Sequence, residues 1–258
     1  MPPRPQAVVL FDIDGVIRDV SGSYRRAIVE TVHHYAGQRP EPAAIDVLKG
    51  EGCWNNDWDA SLELLRRAGH TPLPASEALV AVFEGFYFGG DPEGDPALWG
   101  GFIGDEPLLV QPPFFAALSA ANLAFGFVSG AEPPSCRYVL ETRLGLTSPP
   151  LIAMGDAPDK PDPTGLLRLA APLAGGHLGP DAPPVAYLGD TVADVLTVQR
   201  ARTQCPGQRF LSLAVAPPHL HGHPEARATY EARLREAGAD RVIPTTASLR
   251  EELLALLP

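Results

Sequence analysis

The sequence predicts an α/β fold, a central parallel sheet with a smaller helical domain inserted after its first strand. Three observations carry this reading. Short apolar runs recur at 8–11, 123–128, 151–153, 185–188 and 210–214, mostly with helix-like stretches between them. A long strand-poor section with helical periodicity separates the first two runs. At 258 residues, 45% of them hydrophobic, the chain suits one large domain or a core with a smaller companion.

The first run, Val8-Val9-Leu10-Phe11, has the β-branched and aromatic content of a strand buried on both faces, and Gly15 allows a sharp exit at its carboxyl end. Apolar residues then recur at helical spacing over Tyr24 to Tyr35, Pro42 to Leu48, Trp58 to Ala68 and Ser76 to Phe88, four helices that make a separate cap. Residues 89–96, Gly-Gly-Asp-Pro-Glu-Gly-Asp-Pro, read as an irregular return crossing. The second strand ends in Ser129-Gly130, and a helix beginning near Pro133 is expected to point backbone donors at an anion. Beyond Val215 come a Pro/His loop over 217–224, a charged helix from about Glu225 to Ala237 and a short strand near Val242-Ile243. A helix from Ser248 to Leu257 closes the chain, with Ser248 and Glu251 matching a capping box. The expected division is 1–17 with 108–258 as the core and 18–107 as the cap.

A net charge of -11 argues against nonspecific attraction to nucleic acid or to an anionic membrane surface, while leaving room for a small anionic substrate. Gly 25 and Pro 29 stay below the level of a low-complexity chain and suit proline-rich loops between ordered elements. Cys53, Cys136 and Cys205 lack metal-ligand spacing, which points to a reducing compartment. No long apolar stretch reads as a signal peptide or a membrane span, so the expectation is a soluble cytoplasmic protein, monomer or homodimer.

Asp12 and Asp14 stand one residue apart just beyond the first strand. In open α/β sheets this is where ligands sit. Two close carboxylates repel and lose hydration, so they require a metal, a lysine or both. Three later segments, each just past a strand, answer that requirement. Ser129-Gly130 offers a hydroxyl and a glycine. Residues 156–163, Asp-Ala-Pro-Asp-Lys-Pro-Asp-Pro, set Lys160 among prolines, and Lys49 and Lys160 are the chain's only lysines against eighteen arginines. A lysine there is a choice of chemistry rather than of charge alone, a compact ammonium able to neutralise a carboxylate or hold a phosphate oxygen. Finally, Gly189-Asp190-Thr191-Val192-Ala193-Asp194 carries two aspartates four residues apart.

Strand-end DxDG, strand-end Ser, loop Lys and strand-end GDxxxD, in that order, resemble the four motifs of the haloacid dehalogenase-like hydrolase superfamily. A cap between the first and second motifs is similar to the subfamily that includes phosphoglycolate phosphatase and β-phosphoglucomutase. The resemblance implies a Rossmann-like catalytic core and an Mg²⁺-dependent phosphatase acting on a small phosphorylated metabolite. It implies that Asp12 attacks phosphorus to form an aspartyl-phosphate, and that Asp14 protonates the leaving oxygen and later takes a proton from water. It further implies that Mg²⁺ is held by the Asp12 carboxylate, the Asp14 backbone carbonyl and Asp190, with Asp194 orienting a metal-bound water or Lys160. Ser129 with Gly130, and Lys160, would bind the transferring oxygens. Val16 stands where many relatives carry threonine, and Ala131 where a basic residue is common, so the substrate class stays open. The rival readings are a phosphomutase, whose cap excludes water, and a non-catalytic phosphate-ligand module. Asp14 argues against dehalogenase and phosphonatase chemistry.

The stretch Leu48 to Trp58 holds two of the three tryptophans. Lys49, Trp54, Asn55 and Asn56 on a glycine-flexed loop could form a polyol- or sugar-reading surface, because aromatic faces stack and amides bond hydroxyls. Lys49-Gly50 also resembles the cap loop of β-phosphoglucomutase. The alternative is a helix entry, with Asn55 or Asn56 as its cap and Trp58 packed inside. The HxHxH run at His219, His221 and His223 sits in a Pro/Gly loop and reads as solvated rather than metal-binding.

Overall fold

The computed structural model describes residues 4–54 and 56–257. The chain divides into two compact units, Met1–Asp19 with Leu108–Pro258, and Val20–Pro107.

The first unit is built on six parallel strands: β1 (Ala7–Phe11), β2 (Leu123–Val128), β3 (Leu151–Ile152), β4 (Val185–Gly189), β5 (Phe210–Val215) and β6 (Arg241–Ile243), in the order β3-β2-β1-β4-β5-β6. This is a Rossmann-like arrangement. Every residue of β1 is buried, because its alternate side chains serve two cores. Ala7, Val9 and Phe11 face a cluster with Phe115 and Leu118 of α5 (Pro112–Ala120), Phe127 of β2, and Leu249 and Leu253 of α10 (Leu249–Leu254). Val8 and Leu10 face the other layer, with Leu166 and Leu169 of α7 (Thr164–Leu173) and Val198 of α8 (Val192–Gln204). A smaller cluster joins Val195 of α8 to Tyr230 and Leu234 of α9 (Pro224–Glu236). Around Phe11 the rings of Phe114, Phe115 and Phe127 lie 5.9–6.1 Å away, in edge-on or tilted contact.

Registry positions the site. Phe11 pairs with Phe127 on one side and Leu188 on the other, so β1, β2 and β4 end side by side. The residues that follow, Asp12, Ser129 and Asp190, therefore emerge at the same edge of the sheet.

The second unit is helical, as the periodicity predicts: α1 (Tyr24–Ala36), α2 (Pro42–Lys49), α3 (Asp57–Arg67) and α4 (Ser76–Tyr87). The ring of Tyr24 lies tilted against Tyr87, 4.0 Å between centroids, and 5.6 Å from Phe83, joining α1 to α4. The buried Glu106 accepts from Ser23 Oγ at 2.5 Å and from Tyr87 Oη at 3.2 Å, which satisfies a carboxylate that burial would otherwise penalise.

Two local expectations are corrected. Ser248 does not form a capping box with Glu251. It ends a 3-10 turn, Thr246–Ser248, already has helical angles, and its hydroxyl donates to Thr245 O at 2.7 Å. A helix does begin at Pro133, but it does not offer the expected backbone donors. α6 covers only Pro133–Arg137 before the chain widens into a π turn, Tyr138–Arg143, and its first two positions are prolines with no N–H to offer an anion.

Candidate functional site

Four sequence-separated groups meet at the carboxyl edge of the sheet. Asp12, Lys160, Asp190 and Asp194 are all buried, and Asp12, Asp190 and Asp194 offer oxygens within 4.8 Å of one another. Asp12 is fixed on both carboxylate oxygens: Oδ1 accepts from Ile13 N at 2.8 Å, and Oδ2 lies 2.8 Å from Lys160 Nζ. Burial lifts its pKa to about 6, with Asp194 and Asp14 adding repulsion that Lys160 only partly offsets. Burial would push the Lys160 ammonium down, but Asp12 and Asp194 outweigh it and hold the group charged well above its usual value.

Asp194 is the most fully bonded acid of the set. Oδ1 accepts from Lys160 Nζ at 2.5 Å and lies 2.9 Å from Tyr187 Oη, while Oδ2 accepts from Thr191 N at 2.9 Å, Thr191 Oγ1 at 2.6 Å and Asp190 N at 3.2 Å. Thr191 returns the bond by capping α8 at Asp194 N, a reciprocal capping box. Although burial opposes it, Lys160 and the Thr191 bonds hold the Asp194 carboxyl below the usual range. Gly189 is required here, since a Cβ on it would lie 2.2 Å from the Asp194 Cβ.

Asp190 differs. It is 8% exposed, yet no described residue hydrogen-bonds to its carboxylate, and burial with Asp194 and Asp12 raises its pKa well above the usual range. A buried hard-oxygen group short of donors, set against Asp12, fits a divalent cation. Gly15 makes room for it: its φ is +73°, and a Cβ there would stand 2.0 Å from Asp190 Oδ2. Among the described residues, Asp12, Asp190 and Asp194 form the cluster able to bind a metal. The histidines of the HxHxH run are not part of it, and His221 Nε2 instead lies 2.9 Å from Ala216 O.

Ser129, buried at the end of β2, accepts from Ala131 N at 3.2 Å in a local turn rather than capping α6, whose cap is Glu132. Ser129, Gly130 and Lys160 line one cavity with Ile152, Met154 and Asp159. Asp14 is set apart from the carboxylate cluster. Its Oδ1 is held at 2.7 Å by Arg18, a fully buried arginine.

The remaining candidates belong to the helical unit. Lys49 pairs with Asp57 at 2.5 Å, Trp54 Nε1 donates to Glu51 at 2.8 Å, and Glu51 pairs with Arg67 at 2.8 Å. Asn56 caps α3, its Oδ1 accepting from Trp58 N at 2.9 Å and Asp59 N at 3.1 Å, and Trp58 is half-buried. The helix-entry reading therefore accounts for Asn56. Asn55 lies outside the described residues.

Sequence reasoning passed over Arg18, Tyr187 and Thr191. A basic residue four places after Asp14 inside an apolar run, and a Thr-x-x-Asp spacing after a strand, were the available signals. For Tyr187, a strand position buried from both sides gave none.

Fold and site set a strand-end aspartate among buried charged groups at the edge of a parallel sheet. The model of the haloacid dehalogenase-like hydrolase family matches residues 7–202, and the chain belongs to that family. A Phytophthora nicotianae protein named imidazoleglycerol-phosphate dehydratase is 33% identical over 203 residues, covering 76% of this chain and 42% of its own length. The chain thus spans about two fifths of that curated relative. A hydrolase from Pseudomonas syringae superposes with a TM-score of 0.69 at 17% identity, over 98% of this chain and 100% of its own. Phosphatase Tt82 from Thermococcus thioreducens does so with a TM-score of 0.59 at 23% identity, over 79% and 91%. These superpositions are likenesses of fold. Among the described residues, no helix is long and apolar enough to cross a membrane.

Proposed function

We propose that the protein is an Mg²⁺-dependent phosphatase of small phosphorylated metabolites, working through an aspartyl-phosphate. The observation that carries this is the buried Asp12–Lys160–Asp194 chain beside an Asp190 carboxylate that has no donor among the described residues. Asp12, Asp190 and the Asp14 backbone carbonyl would hold the ion. Mg²⁺, when bound, supplies positive charge against the carboxylates and the phosphoryl oxygens.

The residues of the chain divide the rest of the chemistry. Ile13 N and Lys160 fix the plane of the Asp12 carboxylate. Asp12 attacks phosphorus, an Asp12 O–P bond forms, and the ester P–O bond breaks while Asp14 gives its proton to the leaving oxygen, releasing the alcohol. Water then attacks phosphorus and passes a proton to Asp14, and the acyl-phosphate O–P bond breaks to release inorganic phosphate. Lys160 and Ser129 bear on the transferring oxygens, where charge is spread in the transition state. Asp194 holds Lys160 in place. The helical unit acts as the cap, with Lys49 and Trp54 as candidates for substrate contact.

The name of the Phytophthora relative supports an ester of the polyol class, since it specifies the phosphate of a glycerol bearing an imidazole. The decisive experiment is phosphate release from a panel of metabolite phosphates that includes sugar, polyol and imidazole-glycerol esters, with Mg²⁺ and with chelator. Release that needs Mg²⁺ and disappears in Asp12→Asn is expected. No release from any ester overturns the reading, as does isomerisation of substrate without phosphate.

A further inference from the structure

Resting on the reading of Asp14 as proton carrier, we propose that Arg18 is a positioning residue that holds one oxygen of Asp14 and leaves the other, Oδ2, to carry the proton. Nε and Nη2 of Arg18 both lie 2.7 Å from Asp14 Oδ1, and Nη2 also donates to Ser135 Oγ at 2.7 Å. Oδ2 of Asp14 takes no hydrogen bond from any described residue. The two oxygens of one carboxylate are thus made unequal.

The backbone holds this geometry. Ile17 N and Arg18 N donate to Ile13 O at 2.7 and 3.2 Å, and Gly15 N donates to Arg18 O at 2.9 Å, so the turn closes on itself and sets Arg18 against Asp14. The choice of residue is informative. Arg18 is fully buried and follows Val16 and Ile17, also fully buried, so an apolar side chain would serve packing at that position. Burying a guanidinium is unfavourable unless it is well paired, which makes packing a poor reason for it. Its rigid fork serves Asp14 and Ser135 at once, a geometry that a lysine ammonium does not reproduce. Ser135 lies on α6, so the fork refers the Asp14 carboxylate to an element of the sheet unit.

Leaving-group dependence tests the assignment, because only esters of poorly acidic alcohols need a proton as the P–O bond breaks. The quantity to compare is kcat/KM, which reports the steps through release of the first alcohol and excludes the later attack by water. In Arg18→Met, kcat/KM for an alkyl ester such as glycerol phosphate is expected to fall about 100-fold, the low end of general-acid effects, with 4-nitrophenyl phosphate changing only a few-fold. Arg18→Lys is expected to restore part of the loss. Asp14→Asn, run in parallel, should show the same selectivity. Ser135→Ala keeps the charge and decides the matter if Arg18→Met does not fold; a smaller loss confined to the alkyl ester is expected. Equal losses on both esters, or none, in the folded variants overturn the role of Arg18. If Asp14→Asn itself slows both esters equally, the reading of Asp14 fails instead.

Discussion

Nζ of Lys160 lies 2.8 Å from Oδ2 of Asp12, and the same ammonium reaches Asp194 Oδ1 at 2.5 Å. One cation therefore links the proposed nucleophile to an acid that is anchored by the start of α8. Replacing it strands two buried carboxylates. Lys160→Met is expected to destabilise the protein by about 3–5 kcal/mol and to reduce turnover by about 10²–10³-fold. Urea unfolding and initial rates check the two effects separately. Wild-type values in both would remove Lys160 from the site.

Stability should depend on pH through the same carboxylates. The Asp12 pKa is raised by burial to about 6, whereas in the unfolded chain it is about 3.9. Between those values the folded state keeps a proton that the unfolded state has lost. The Asp12 contribution to metal-free stability therefore falls as pH rises through about 4 to 6, a loss on the order of a few kcal/mol, and the raised Asp190 carboxyl extends the decline to higher pH. Mg²⁺ should reverse it, so the rise in Tm on adding Mg²⁺ is expected to be larger at pH 7.5 than at pH 5. Asp190→Asn should lose that response and melt higher than wild type in chelator. A Tm increment independent of pH contradicts this account.

Gly15 offers a sharper probe of the proposed metal site. Alanine there would strain a backbone at φ +73° and drive Cβ to 2.0 Å from Asp190 Oδ2. We expect Gly15→Ala to cost more than 1 kcal/mol and to raise the Mg²⁺ concentration for half-maximal activity by about 10–100-fold. Calorimetric titration of Mg²⁺ into wild type and variant reads this directly, and unchanged affinity would show that Asp190 does not depend on Gly15.

Thr191→Ala removes the capping side chain of α8 and one donor to Asp194 Oδ2, but leaves the Thr191 N–H and Lys160 bonded to that carboxylate. A loss of about 1 kcal/mol in chemical denaturation is expected, with turnover reduced less than tenfold. A larger kinetic than thermodynamic effect would give Thr191 a role in the chemistry itself.

What could be read from the sequence follows from period and punctuation. β1 and β2 were visible because each is a compact apolar run, and α1–α4 because a buried stripe repeats at helical spacing. The motif order put Asp12, Lys160, Asp190 and Asp194 on the list, since each follows a strand or lies in a proline-fixed loop. The division of labour within that set was not legible. Whether Asp190 or Asp194 keeps a donor-free carboxylate depends on how Thr191 folds back, a matter of local angles rather than residue type. Arg18 was missed for a related reason: an arginine reads as surface until its carboxylate partner is seen. The Ser248 box failed because its residues match a pattern whose backbone geometry the 3-10 turn excludes.

The chain leaves the sheet unit and returns to it at adjoining points. Arg18 bridges Leu108 in antiparallel fashion, and Leu109 N donates to Ile17 O at 2.8 Å. Those two backbone passes close the sheet unit without help from the 88 residues of Val20–Pro107 between them. A segment whose ends are already pinned side by side is an exchangeable cassette. A short flexible linker could replace it without disturbing the registry of β1, and a foreign helical insert could be grafted in its place. New substrate ranges could then be reached by recombining whole inserts, with the strand-end chemistry left intact.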